Sequence, residues 1–147
     1  WIDDCGRIIC ARVKTKCDFC DYQQNRYVMW TYSIRSGELR HDGRKIATGY
    51  SGKSGECRNN PDAITKHDCG PIPSGIWLIG WHYDDPRRGP ITIRLDPAPT
   101  TILYGRSGFL IHGDNTQHDA STGCIILDRM TREQIASSDD RLLMVTI

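Results

Sequence analysis

Long apolar runs are missing from this 147-residue chain. A helix that crosses a bilayer needs about 20 consecutive apolar residues. No stretch approaches that, so membrane insertion through such a helix is not expected. A surplus of charge is also missing: 19 Lys and Arg against 18 Asp and Glu give a formal net charge of +1. Neither nucleic acid nor an anionic membrane surface is therefore an expected partner. The first residues, Trp1-Ile2-Asp3-Asp4, have no start methionine and no signal-peptide pattern, and read as an excised or processed domain. No repeat, low-complexity tract or linker divides the chain. A phosphate cradle is poorly supported. Gly52-Lys53-Ser54 is present, but Ala47 stands where the motif needs its first glycine, and no helical pattern follows. Metal catalysis has no better basis, since His112 and His118 flank a loop that implies no third ligand. No cofactor is expected.

What remains is an ordinary globular composition, with 38% hydrophobic and 25% charged residues. That length and composition suit one domain able to bury its own core. Cysteine is plentiful: Cys5, Cys10, Cys17, Cys20, Cys57, Cys69 and Cys124. An odd count flags a free thiol, and Cys124 is the one placed beside a histidine motif. The others admit many pairings; the expected grouping is Cys57 with Cys69, and the four N-terminal cysteines among themselves. Persistent disulfides imply an oxidising compartment. For the first four, zinc is the rival, through Cys17-x-x-Cys20, although the Cys5–Cys10 spacing is loose for such a site.

Residues 1–25 read as a cysteine-rich, stapled N-terminal extension and 26–147 as the main domain. Tyr27–Ile34 is rich in aromatic and β-branched residues that suit a half-buried strand. Turn signals at Ser36-Gly37 and Asp42-Gly43 set off short hairpin strands at Glu38–His41 and Arg44–Tyr50. Residues 51–75 form a long loop that a Cys57–Cys69 bridge would stiffen. Further strands are expected at Ile76–Trp81, Ile91–Leu95, Thr101–Tyr104, Phe109–His112, Cys124–Leu127 and Arg141–Ile147. One helix is expected near the C-terminus, opened by a capping box at Thr131-Arg132-Glu133-Gln134 and ending near Ser137. The fold class is mainly β, a sandwich or flattened barrel with one short helix.

One feature names a chemistry. His112 leaves one apolar run and Cys124 enters another, joined by a polar loop. A thiol attacks as thiolate, and a neighbouring imidazole is a common way to make one. Histidine before cysteine excludes the papain-like order, and the interval of 12 residues (124 − 112) excludes the caspase-like one. The segments Ile111-His112-Gly113 and Ser121-Thr122-Gly123-Cys124 resemble the L,D-transpeptidase (YkuD-type) catalytic domain. Its Ser/Thr-His-Gly-Cys signature carries a second histidine where Thr122 stands here. With Gly70–Gly75, Gly105–Phe109 and Asp114 added, the chain looks most similar to the L,D-transpeptidase effectors of type VI secretion systems, whose motif is Ser-x-Gly-Cys. The likeness covers roughly residues 27–147.

That resemblance implies an antibacterial secreted toxin acting on peptidoglycan stem peptides in the periplasm of a target bacterium. It also implies secretion machinery and an immunity protein as partners. Cys124 would be the nucleophile and His112 its base. Gly123 and Cys124 would offer N–H donors to the oxyanion, and Ser121 would either support them or close a turn. Arg106, Gly113 and Asp114 are the substrate-binding candidates, Arg106 as a carboxylate clamp. Asp114 or Asp119 could orient the imidazole, as could a backbone carbonyl. His118 reads as exposed loop, and Trp77, Trp81 and Tyr83 as core and rim rather than a sugar-stacking platform. The alternative is a disulfide-stapled wall-binding module without catalysis, motivated by Thr122. A third reading makes the N-terminus a zinc-stabilised adaptor.

Overall fold

Alternation with period two shapes the first strand, β1 (Trp30–Ser33), which buries Trp30 and Tyr32 and leaves Thr31 and Ser33 half-buried. A computed structural model describes residues 28–147. The expected extension, with Cys5, Cys10, Cys17 and Cys20, lies outside the described residues, and with it both the disulfide and the zinc readings. After β1 come β2 (Glu38–His41), β3 (Arg44–Thr48), β4 (Tyr50–Ser51) and the long hairpin of β5 (Gly75–Asp85) and β6 (Gly89–Pro97). They are followed by β7 (Leu110–His112), β8 (Ile125–Ile126), one helix, α1 (Arg129–Ser137), and β9 (Leu142–Thr146).

All nine strands form one sheet in the order β3-β2-β1-β9-β5-β6-β7-β8-β4. β1 with β9 and β7 with β8 run parallel, and the other neighbours antiparallel. β3 and β4 stand at opposite ends of that order yet are separated in the chain by Gly49 alone. The sheet therefore curls until its ends nearly meet, a mainly-β, barrel-like fold with one short helix among the described residues, as the sequence leads one to expect. Inside lie Trp30, Tyr32, Trp77, Ile93, Ile111, Ile125 and Leu143, each fully buried, and Ile135 of α1 joins them.

Three local expectations are corrected. Arg44–Tyr50 is not one strand. At Gly49 a Cβ would lie 1.9 Å from the Ile126 carbonyl oxygen, so only glycine lets the chain pass from one end of the sheet to the other. Thr101–Tyr104 forms no strand. Pro97 and Pro99 lead into it, and the Thr101 hydroxyl takes the place of a ladder partner, accepting from Ile76 N at 3.0 Å and donating to Ile76 O at 2.6 Å. The capping box is displaced. Asp128 is the N-cap; its carboxylate accepts from Thr131 N at 2.8 Å and from the Thr131 hydroxyl at 2.7 Å. The 51–75 loop is largely irregular, with one 3₁₀ turn at Pro61–Ala63 and the expected Cys57–Cys69 disulfide across it.

Candidate active site

The parallel pair β7–β8 brings histidine and cysteine together. Ile111 pairs with Ile125 and His112 with Ile126, so both isoleucines face the core. Their neighbours face the other way. Cys124, one residue before the pair, falls beside Leu110 on the face that His112 also occupies. Histidine and thiol are thus diagonal neighbours on adjacent strands, with side chains over the outer surface of the sheet. His112 is nonetheless only 3% exposed.

The imidazole is oriented by its own chain. His112 Nδ1 lies 2.8 Å from the Gly113 carbonyl oxygen. A carbonyl only accepts, so Nδ1 carries the proton and Nε2 keeps its lone pair. Burial holds this imidazole below the ordinary histidine range, and the nearby Arg88 and Arg132 push the same way. Burial also pushes the Cys124 thiol up, against the pull of a Leu110 backbone bond and of Arg88 and Arg106. At neutral pH the resting pair is therefore thiol and imidazole, both uncharged. Cys124 is the free thiol among the described residues. Its Sγ lies 3.8 Å from the Gly108 carbonyl oxygen, which accepts a hydrogen bond from the thiol.

Two buried side chains hold the cysteine loop. Ser121 is fully buried. Its Oγ accepts from Gly52 N at 2.9 Å and Gly123 N at 3.1 Å and donates to Cys124 O at 2.6 Å. These contacts make it a loop closer, and they engage the Gly123 N–H that the sequence offers to an oxyanion. Arg106 is buried too, and its guanidinium donates to the carbonyls of Ile64 (2.6 Å), Pro71 (2.7 Å), Gly70 (2.7 Å) and Thr122 (3.4 Å). All four partners belong to the chain itself, so these contacts lend no support to a substrate clamp. They tie the disulfide-bridged loop to the Ser121–Cys124 loop. At Gly123, with φ +152°, a Cβ would lie 2.7 Å from Arg106 Nη2, so the site requires glycine there.

The acids of the joining loop organise that loop and do not reach the imidazole. Asp114 accepts from the Tyr50 hydroxyl, from Asn115 N at 2.9 Å and from His118 Nδ1 at 2.7 Å. Asp119 accepts from Asn115 Nδ2 at 2.6 Å, and His118 is exposed as expected. Of the two alternatives for the imidazole's orienter, the contact present is the backbone carbonyl. Gly113 has a separate steric role, since a Cβ there would lie 2.8 Å from Arg132 Nη2.

A family model, the Tlde1 domain, matches residues 45–144. The chain belongs to the Tlde1 domain family. No curated protein matches the chain. The matched span of this Tlde1 domain holds most of β3 through most of β9, with His112, Cys124, Arg106 and the Cys57–Cys69 bridge inside it. Tlde1 domains are those of type VI secretion effectors of the L,D-transpeptidase kind, which makes this a peptidoglycan-modifying effector domain tied to secretion machinery.

The sequence reading passed over three residues of the Tlde1 site. Tyr50 donates to Asp114 and accepts from Ala120 N at 3.1 Å, clasping both ends of the joining loop. Burial and the Asp114 bond push its phenol up to about 12, so it stays a donor at any working pH. Arg132 of α1 donates to the carbonyls of Leu127, Pro90 and Ile91, which anchors the β5–β6 hairpin beside Gly113. Arg88 on that hairpin adds positive charge near His112 and Cys124. None stands in a motif that points to the site; only tertiary packing brings them here.

Proposed function

We propose that this domain is a cysteine acyltransferase acting on tetrapeptide stems, with Cys124 as nucleophile and His112 as general base. The observation that carries the reading is the Nδ1–H bond to Gly113, which leaves Nε2 as a base on the face that Cys124 shares. In the first step Nε2 takes the thiol proton as Sγ attacks the carbonyl before the terminal D-alanine. The oxyanion forms near the Cys124 N–H, the candidate donor left once Gly123 N–H is held by Ser121. The tetrahedral adduct collapses, the C–N bond breaks, and His112 returns the proton to the departing amine. A thioester remains on Cys124, to be resolved by water, a free D-amino acid or a stem amine.

Burial keeps the thiol protonated at rest, so its proton must leave as attack begins, and a neutral imidazole is the suitable acceptor. Thr122 bears on the reaction through its backbone, whose carbonyl Arg106 holds, while its side chain is exposed. The setting is the periplasm of a target bacterium, where the toxin trims or caps donor stems and an immunity protein protects the producer. Residues 26–147 serve as the catalytic domain.

D-alanine release from purified disaccharide-tetrapeptide tests the mechanism. Wild-type protein should release it, and Cys124→Ala and His112→Ala should lose the activity by at least about a hundredfold. Full turnover by Cys124→Ala sinks the proposal. The wall-binding alternative predicts binding with no turnover by any variant. Slow alkylation of Cys124 at neutral pH does not favour that alternative, because both readings share a protonated resting thiol.

A further inference from the structure

A groove of about 700 Å³ lies on the outer face of the sheet, with Trp81, Tyr83, Arg94, Asp96 and Leu110 among its walls. Period-two alternation buries Trp77 and Ile79 and would bury Trp81 next. A β-bulge prevents this. Ile79 pairs with Leu95 and His82 with Ile93, so Gly80 and Trp81 together stand opposite Arg94. The extra residue turns the indole outward, where it is 73% exposed, with Tyr83 also in the open. This excludes Trp81 from the core.

The same register leads to the thiol. Arg94 pairs with Leu110, and Cys124 falls beside Leu110 on the next strand. Trp81, Arg94, Leu110 and Cys124 therefore form one row across adjacent strands. Ser107, Gly108 and Phe109 border both the groove and the small pocket, of about 190 Å³, that holds Cys124.

We propose that this groove is a saccharide subsite, which holds the amino sugar that bears the stem peptide. It rests on the peptidoglycan reading above and extends it to the glycan. Length selects the occupant. Strands lie about 4.8 Å apart, so Trp81 stands about 14 Å from Cys124. Three extended residues, from the attacked carbonyl back to the first stem residue, span at most about 11 Å. A stem bonded at Cys124 ends short of the indole, and the sugar begins where the peptide stops. The chemistry agrees. A pyranose presents an apolar C–H face that stacks on an aromatic ring, with hydroxyls around its edge. Trp81 supplies the ring. The half-exposed Arg94–Asp96 ion pair, 3.0 Å apart, supplies donors and acceptors with no net charge, as a neutral sugar requires.

Isothermal titration of the full Cys124→Ala chain tests this, with disaccharide-tetrapeptide, free tetrapeptide and peptide-free disaccharide as ligands. The disaccharide-tetrapeptide should bind about tenfold more tightly than free tetrapeptide, and Trp81→Ala should bring that ratio close to one. The indole packs against solvent, so the variant should keep the parent melting temperature. Equal affinity for the two peptides, or a ratio unchanged by Trp81→Ala, overturns the sugar subsite. D-alanine release from free tetrapeptide by the wild-type chain would then leave the catalytic reading standing. Failure of every muropeptide to bind or turn over overturns both.

Discussion

Desolvation disfavours whichever form of a side chain carries charge, so it raises a thiol and lowers an imidazole. Both shifts occur at Cys124 and His112, and they fix the sign of the pH dependence. D-alanine release should rise as His112 loses its proton, with the midpoint of the acid limb below 6.5, the ordinary histidine value. A midpoint at or above that value would contradict the burial of His112. The same shift acts on stability. His112 stays neutral in the fold while the unfolded chain takes up a proton, so its contribution is complete above 6.5 and is lost as pH falls through the lower folded value. Gly123 gives a second prediction. Gly123→Ala places a methyl against Arg106 and should destabilise the domain by about 1–3 kcal/mol, with turnover falling further than stability. Denaturant unfolding and the D-alanine assay separate the two effects. The approach of His112 to Cys124 was legible because each sits at the edge of a short apolar run and a polar loop joins the two. The brace made by Arg106 was not, because its partners are carbonyls, and every residue has one.

At the level of elements, short-range patterns proved readable wherever one face of a strand meets the core. β1, β2 and β7 stand close to where alternation puts them. The misses arose where a side chain substitutes for backbone, as Thr101 does beside Ile76, or where an extra residue changes parity, as at Gly80–Trp81. Helix α1 was expected, but with the wrong cap. Thr131 lies inside the first turn, and its N–H and hydroxyl both go to Asp128. Burial works against ionising that carboxyl, yet the Thr131 bonds outweigh it and hold the group below its usual value of 3.8. Asp128→Ala should therefore cost about 1 kcal/mol in urea unfolding at neutral pH. The deficit should shrink as the pH falls below the ordinary carboxylate range, where Asp128 in the parent takes up its proton. A deficit independent of pH would assign the stabilisation to something other than the charged cap.

Across the whole molecule, the Cys57–Cys69 bridge is joined to the Cys124 loop through carbonyls. Ile64 lies between the two cysteines, Gly70 and Pro71 follow directly, and all three accept from Arg106, which abuts Gly123. Replacing both cysteines by serine should lower stability by about 3 kcal/mol. D-alanine release should fall at temperatures where circular dichroism still reports a folded sheet. Parallel loss of both signals would mean that the bridge only stabilises the fold. Pairing of Cys57 with Cys69 was legible from cysteine count and grouping, whereas the order of the sheet was not, since it depends on which distant strands meet. The closure at Gly49 has a further consequence. Open sheets present unpaired N–H and C=O groups along two margins, and those margins recruit strands from other molecules. Here the two outermost strands are consecutive in the chain, so one peptide segment ties both margins together. A single proteolytic cut beside Gly49 should release both at once and make the protein prone to aggregate, a change that light scattering after limited digestion would register.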